Sequence, residues 1–445
     1  MNSKSDQNIV EDHVKQVTAM DRVLVRLGEV ANLLTGFPFK SDKYVDDNDA
    51  PRLLRGDNVA QGVLRWDGAK RWPQNATKDV ADYWLREGDI ILAMDRPWIE
   101  AGLKYASVRD TDLPSLLVQR VALLRGTTRL HTRFLKYVIA SKAFTDYILA
   151  VQTGTTIPHI SGDQIKNFEF LLPPLHEQRS IAHILHTFDD KIELNQQANK
   201  TLEAMAKAMF KHWFIDFEFP NEEGKPYKSS GEEMLPNEEL GKEMPKEWKV
   251  CKIGDEIEVG GGSTPKTSNP SYWVGGDIYW ATPKDMSALT APVLTGTERK
   301  ITCKGLLSIG SKKYPRGTLF MSSRAPIGYL AISDIHSAVN QGMIAMICRR
   351  SLSSYFMLNW CGFNMEEIES RANGTTFKEI TKSEFRSMSI ILPPKSLLSA
   401  FDAHVEPMYL KMASNMRNSR TLAQVRESLL PRLMSGKVRV PVEVG

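Results

Sequence analysis

Arg52, Arg55, Arg65, Lys70 and Arg71 fall in one stretch of the chain, interleaved with Trp66 and Trp72, and Arg96, Trp98 and Lys104 follow. A second set comprises Lys266, Lys284, Lys312, Lys313, Arg316 and Arg324, with Trp273 and Trp280 among them. Such residues neutralise phosphates, and arginine or lysine can also read the O6/N7 edge of guanine. Taken singly, each is an ordinary solvated surface charge, and tryptophans usually belong to cores. The sets gain weight because they occur twice, in two similar regions whose loops differ. That suits two surfaces reading two different short sequences.

Catalytic chemistry is missing. "GGGSTPKTS" at Gly260–Ser268 has proline where a phosphate-binding P-loop needs its second glycine. No glycine-rich strand-turn-helix suggests a dinucleotide or S-adenosylmethionine pocket. Both Pro-Pro pairs follow leucine and precede Leu175 or Lys395, so neither resembles a turn that grips an exocyclic amine. The Glu-x-Lys triplets at Glu223, Glu247 and Glu298 lack a partnered Pro-Asp. His183 and His186 have no nearby cysteine, and Cys251, Cys303, Cys348 and Cys361 are too widely spaced for a zinc ribbon or a disulfide framework. No metal is implied.

The elements that position these residues are written twice. "GTTIPHISGDQIKNFEFLLPP" from Gly154 recurs as "GTTFKEITKSEFRSMSIILPP" from Gly374, 220 residues later and without a gap. Upstream, "REGDIILAMDRP" from Arg86 matches "PRGTLFMSSRAP" from Pro315, which leads us to expect Arg96 and Arg324 at equivalent places after a strand. "SLLVQRVALLR" matches "SAVNQGMIAMICR" and aligns Gln119 with Gln341. A repeat this long means two domain-sized halves rather than a solenoid. Short β-type runs alternating with helical segments read as a mixed α/β globule in each half.

After each Leu-Pro-Pro the pattern becomes heptad. Ile181, Leu185, Phe188, Ile192, Asn195, Asn199, Leu202, Ala206, Met209 and Trp213 alternate steps of four and three. Phe401, Val405, Met408, Met412, Asn415, Ser419, Leu422, Arg426, Leu429 and Leu433 repeat them. This predicts two long coiled-coil helices, each the natural partner of the other, with Pro407 kinking the second. The polar layer in mid-seam reads either as a register device or as a loosened mid-section where solvent or another chain enters. Between the halves, nine acidic residues and four lysines in 218–247 give a net −5, leaving +9 on the rest of a chain whose total is +4. This Pro-, Gly- and Glu-rich stretch reads as a linker.

No apolar run reaches the ~20 residues of a membrane span, and the polar N-terminus lacks a signal-peptide core, so a cytoplasmic location is expected. The expected layout is an N-terminal tail 1–20, a domain 21–172, a helix 173–216, an acidic linker 217–247, a domain 248–392, a helix 393–434 and a C-terminal tail 435–445.

The sequence resembles the specificity (S) subunits of type I restriction-modification systems, the HsdS family, from about Arg22 to Val440. The carriers are "GTTIPHISGDQIKNFEFLLPPLHEQRSIAHIL", "LEAMAKAMFKHWFIDFEFPNEEGKPYKSSG", "GGGSTPKTSNPSYWVGGDIYWATPKDM" and "LLPRLMSGKVRV". The resemblance implies an α+β fold: two mixed α/β target-recognition domains separated by two long antiparallel coiled-coil helices, in a pseudo-two-fold repeat. It implies a non-catalytic subunit in which each domain reads half of a bipartite, asymmetric target in double-stranded DNA. Two methyltransferase (M) subunits would dock on it, and restriction (R) subunits through them. S-adenosylmethionine, ATP and Mg would sit in those partners, with no cofactor here and no membrane. Two other readings are a stand-alone methyltransferase or nuclease and a coiled-coil scaffold without sequence preference. One departure stands out: Glu177 and Gln178 are matched by Leu397 and Leu398. Glu177 is placed to favour its helix's positive N-terminus, whereas the second helix is left with Ser396 as a cap.

Overall fold

A computed structural model describes residues 22–74, 78–154, 156–238, 241–349, 351–374 and 378–440. The N-terminal tail 1–20 and residues 441–445 of the C-terminal tail lie outside the described residues. The chain forms two compact units, one from residues 1–190 with 423–445, the other from residues 191–422.

In the first unit, β1 (Val23–Arg26) and β2 (Ala31–Thr35) lead into β3 (Arg52–Leu54) and β4 (Gln61–Gly62). Then come β5 (Ile90–Ala93), the hairpin β6 (Trp98–Ile99) and β7 (Gly102–Leu103), β8 (Tyr105–Ser107), β9 (Ser115–Leu117) and β10 (Val121–Gly126). Five strands form a sheet in the order β2-β10-β5-β8-β4. The run Ile-Ile-Leu-Ala of β5 is wholly buried because both faces of the sheet are covered. Ile90 and Leu92 point into a core with Phe134 and Leu135, while Ile91 and Ala93 meet Leu54 and Leu117 on the other side. This is the period-two alternation of a strand. Gly36, just past β2, is required as glycine: a Cβ there would lie 2.2 Å from the Val118 carbonyl oxygen.

Helix α1 (Thr132–Ala140) buries Phe134, Leu135, Val138 and Ile139 against the sheet. Helix α2 (Lys142–Val151) starts where Ser141 Oγ accepts a hydrogen bond from the Phe144 amide. Strand β11 (Glu169–Leu172) pairs antiparallel with β1, Val23 opposite Leu172, and Pro173-Pro174 then launches α3 (Leu175–Phe210). Ile181 and Leu185 of α3 are fully buried in the same core as Leu433.

The second unit repeats this plan. The segment 217–247, read above as a linker, carries structure instead. Strands β12 (Met234–Asn237) and β13 (Lys242–Pro245) form a hairpin, and Phe217, Phe219, Met244 and Trp248 are buried, with Tyr227 stacked on Phe219 at 4.5 Å. The acidic composition obscured a few aromatics that need only one apolar wall to pack against. Strands β14 (Lys249–Lys252), β15 (Glu258–Gly260), β16 (Ile278–Ala281), β17 (Val293–Leu294) and β18 (Arg299–Ile301) follow. After them come β19 (Leu319–Ser323), β20 (Ile327–Ser333), β21 (Ser337–Val339), β22 (Met343–Ile347), helix α4 (Ser354–Phe363) and β23 (Ser389–Leu392). The sheets run β15-β22-β19-β20-β17 and β18-β16-β21. β14 pairs antiparallel with β23, Lys249 opposite Leu392, as β1 does with β11.

The last helix, α5 (Lys395–Met434), is continuous through Pro407. It begins at Lys395, so Ser396 stands inside the first turn and is not the cap expected from the sequence. Within the second unit α3 and α5 run antiparallel. Phe401 packs on Phe214 at 5.0 Å, Asn415 Nδ2 donates to Asn199 Oδ1 at 2.9 Å, and Asn195 Nδ2 donates to Ser419 Oγ at 3.1 Å. Rising numbers on one helix meet falling numbers on the other. Asn195, Asn199, Phe401, Val405, Met412 and Asn415 are buried, while Ile192, Leu202, Met209, Met408 and Leu422 are half-buried. Within the first unit Phe188 and Leu429 are also half-buried. Trading hydrogen bonds among themselves, the mid-seam amides leave few unsatisfied groups in an otherwise apolar seam.

In the first unit, Asp189 of α3 accepts from Lys136 Nζ at 2.6 Å and from the Tyr137 hydroxyl at 2.9 Å, and it pairs with Arg426. Burial pushes the Asp189 carboxyl up, but Lys136 and Arg426 together outweigh it and hold the pKa below the ordinary carboxylate value. A depressed carboxylate contributes stability that is present above its unfolded pKa and is lost as pH falls through the folded one. The urea midpoint of the first unit should therefore fall as pH is lowered below about 4. Asp189→Asn should lower the midpoint at neutral pH and flatten that acid limb. An unaltered acid limb in the variant would remove Asp189 from the account.

Candidate nucleic-acid interface

The cations singled out in the sequence divide by what holds them. In the first unit Arg52 is structural: its Nη2 donates to the carbonyl oxygens of Thr111 (2.9 Å) and Leu113 (3.1 Å). Its guanidinium lies 4.4 Å over Trp66, whose indole N–H donates to Asp112 at 2.7 Å. Burial lowers its pKa. Arg71 is tied to the Ala50 carbonyl at 2.7 Å. Arg55, Arg65 and Lys70 are exposed on the turns around β4, and the acidic group that Arg55 reaches among the described residues is Asp57, at 4.0 Å.

Arg96 and Lys104 flank the β6–β7 hairpin. The Lys104 amide donates to the Pro97 carbonyl at 2.7 Å, and Gln61 of β4 reaches the Gly102 carbonyl at 3.3 Å. Trp98 and Ile99 are 41% and 40% exposed on this ribbon. Burial lowers the Lys104 pKa, opposed by Asp57 and Asp95 and reinforced by Arg96. Here the fold gathers cations, an exposed indole and a hairpin in one place.

In the second unit Lys266 and Lys313 are exposed, and neither side chain makes an ion pair among the described residues. Lys284 pairs with Glu298 at 3.0 Å, Lys312 with Glu258 at 2.6 Å and Arg324 with Glu379 at 3.6 Å. Arg316 shares Asp334 with Arg417 of α5. Arg96 and Arg324 are not equivalent. The left-handed residue after the strand is Arg96 (φ 46) in one half and Ala325 (φ 53) in the other. Asp95 bridges His159 where Arg324 bridges Glu379. The Arg-Pro and Arg-Ala-Pro spellings differ by one residue, and that residue moves the arginine along the backbone.

Two cations escaped the sequence reading. Arg299 lies 3.5 Å over Trp273 and Lys300 lies 4.4 Å over Tyr279, its partner across the β16–β18 pair. Lys300 belongs to the Glu298 Glu-x-Lys triplet, and the adjacent aromatics Tyr279 and Trp280 on the facing strand are the usable signal for both cations. Gln119 and Gln341 are exposed at matched turns. Among the described residues no three His, Cys, Asp or Glu side chains are grouped to hold a metal, and no helix is long and apolar enough to cross a membrane.

The family model for the type I restriction modification DNA specificity domain matches residues 21–204 and again 245–397. The MjaIX specificity subunit of Methanocaldococcus jannaschii is 30% identical over 313 residues, 69% of each chain. The HindI specificity subunit of Haemophilus influenzae is 25% identical over 408 residues, 80% of this chain and 87% of its own. The crystal structure of a type I restriction-modification S subunit from M. genitalium matches with a TM-score of 0.55 at 14% identity, covering 93% of this chain and 96% of the other.

Proposed function

Because the chain belongs to the family of type I restriction-modification specificity subunits, we propose that each unit reads one half of a bipartite, asymmetric DNA target. The observation that carries this is the double family match, one stretch in each half of the chain. The subunit selects the site and leaves the chemistry to others. Two methyltransferase subunits dock on it and supply S-adenosylmethionine and adenine methylation, and restriction subunits join through them with ATP and Mg. The exposed Arg65, Lys70, Arg96, Lys266 and Lys313 are the first choices for phosphates, with Trp98, Gln119 and Gln341 nearest to base edges. Arg52 and Arg71 hold loops instead. The paired Lys284, Lys312, Arg316 and Arg324 reach DNA only by giving up an acidic partner.

Salt dependence separates these groups. Each phosphate contact contributes about 0.9 to the slope of log K against log salt. In complex with its partner subunits, Lys266→Ala and Lys313→Ala should each flatten that slope by about 0.9 without altering the selected sequence. Arg71→Ala should lower the melting temperature and leave the slope unchanged. Selection from a random duplex pool should return one gapped motif. A pool with no preferred motif, or methyl transfer by the isolated chain from labelled S-adenosylmethionine, would overturn the reading.

A further inference from the structure

The two halves share a plan, but the positions that fasten each globule to its helix differ in chemistry. In the first unit, buried Glu177 of α3 accepts from Arg22 at 2.6 Å. Arg22 directly precedes β1, and Trp248 directly precedes β14. Trp248 is buried in the same apolar cluster that Leu397 packs against, and it stacks 5.3 Å from Phe219. The two charged positions of one half are thus two apolar positions of one cluster in the other.

Gln178 repeats the pattern. It is 1% exposed, accepts from the His131 amide at 2.8 Å and donates to the Arg129 carbonyl at 3.0 Å, so it reads the backbone at the start of α1. Its counterpart Leu398 is buried among hydrocarbon. Further along, Asp189 holds Lys136 and Tyr137 of α1. The matched residues are Tyr409 on α5 and Leu358 and Asn359 on α4, where Asn359 Nδ2 donates to the Tyr409 hydroxyl at 3.2 Å. The tyrosine has changed sides, from globule to helix.

We propose that these positions are keys: each globule seats only on its own stretch of helix, so the order of the two globules along the chain is fixed. Set on the second seat, the first globule would bury Arg22 against Leu397, an apolar position in place of Glu177, and would bring Lys136 to Tyr409, where Glu203, Asp402 and Glu406 already have Lys207, Ser353 and Tyr355 as partners. An uncompensated buried charge is among the costliest defects a fold can carry. The reverse misplacement is milder. Glu177 would keep Arg439 at 3.4 Å, and Asp189 would keep Arg426. This is specificity by repulsion as much as by attraction. It goes beyond the reading of DNA, and if that reading holds, it forbids exchanging the two half-sites by exchanging the globules alone.

The test uses full-length chains and thermal melting, which reports on seating whether or not DNA is read. Exchanging residues 21–172 with 248–392 and leaving both helices in place should lower the melting temperature by about 10 °C or more. Adding Glu177→Leu, Gln178→Leu, Asp189→Tyr, Leu397→Glu, Leu398→Gln and Tyr409→Asp to that reversed chain should recover most of the loss. A reversed chain that melts like the natural one overturns the proposal, and so does a re-keyed chain no more stable than the reversed one. Should the reversed chain fail to fold, the natural order still decides. Tyr409→Asp should lower the melting temperature, and Leu358→Lys with Asn359→Tyr should restore part of it. Additive effects without such restoration would overturn the keys.

Discussion

Removing the Glu177 carboxylate should unseat the first globule, at a cost of about 3–5 kcal/mol for Glu177→Ala. The side chains of Glu177 and Arg22 are only 6% and 5% exposed, so little solvent is available to take over from the lost partner. Arg22 would still donate to the carbonyl oxygens of Leu433 and Met434. Those bonds satisfy its N–H groups without neutralising its charge. Glu177→Gln keeps an acceptor and loses the charge, so it should fall between the wild type and Glu177→Ala. Arg439→Ala should cost under about 1 kcal/mol, because that arginine is 38% exposed and 3.4 Å away. Replacing both partners, as Arg22→Met with Glu177→Leu, should recover much of the loss, since an apolar pair of similar volume avoids desolvating two charges. The measurement is the urea midpoint of the first unit across the four variants. Equal losses for Glu177→Ala and Arg439→Ala would show that the pair is not buried in solution.

Much of this architecture was legible in the chain, for reasons that can be assigned. A repeat in register over "GTT…LPP" carries long-range information that local propensity lacks. Pro173-Pro174 and Pro393-Pro394 mark where α3 and α5 begin, because proline stops a strand and suits a helix's first turn. The heptad spacing gathers one face of each helix, and those residues are buried or half-buried in the structure. What stayed hidden depends on partners remote in sequence. Nothing near Arg316 announces Asp334, nor does anything near Lys312 announce Glu258, so a paired cation and a free one look alike. The same holds for Arg52, whose acceptors lie beyond Asp110. The aromatic packing of 217–247 was lost in a composition average, and the one-residue offset between Arg96 and Arg324 was lost in a motif that looked shared. Sequence periodicity reports which face is buried. It does not report what the exposed face meets.

A graft of residues 258–347 from a relative with a different target should change one half of the methylated motif completely and leave the other half untouched. The limits follow from the seating contacts rather than from the repeat. This stretch runs from β15 to β22 and carries Arg299 on β18 and the loops with Lys266, Lys313 and Gln341. It leaves Trp248 against Phe214, Phe217 and Phe219, and Ser353, Tyr355 and Asn359 in place against α5, where Ser353 Oγ donates to Asp402 at 2.6 Å and Tyr355 stacks on Tyr409 at 5.2 Å. A wider graft through residue 372 also replaces α4. It should succeed only when the donor brings residues that suit Tyr409 and Asp402; otherwise the chain loses stability and methylation together. Each well-made base contact discriminates by about 1–3 kcal/mol, so a foreign set of loops gives a clean change of sequence rather than a blurred one. Sequencing methylated DNA from cells that carry the grafted chain with its partner subunits reads both halves at once. If both halves changed, the units would not read independently. If the narrow graft left the motif as it was, the reading residues would lie outside β15–β22, and α4 or the helices would have to contact the bases themselves.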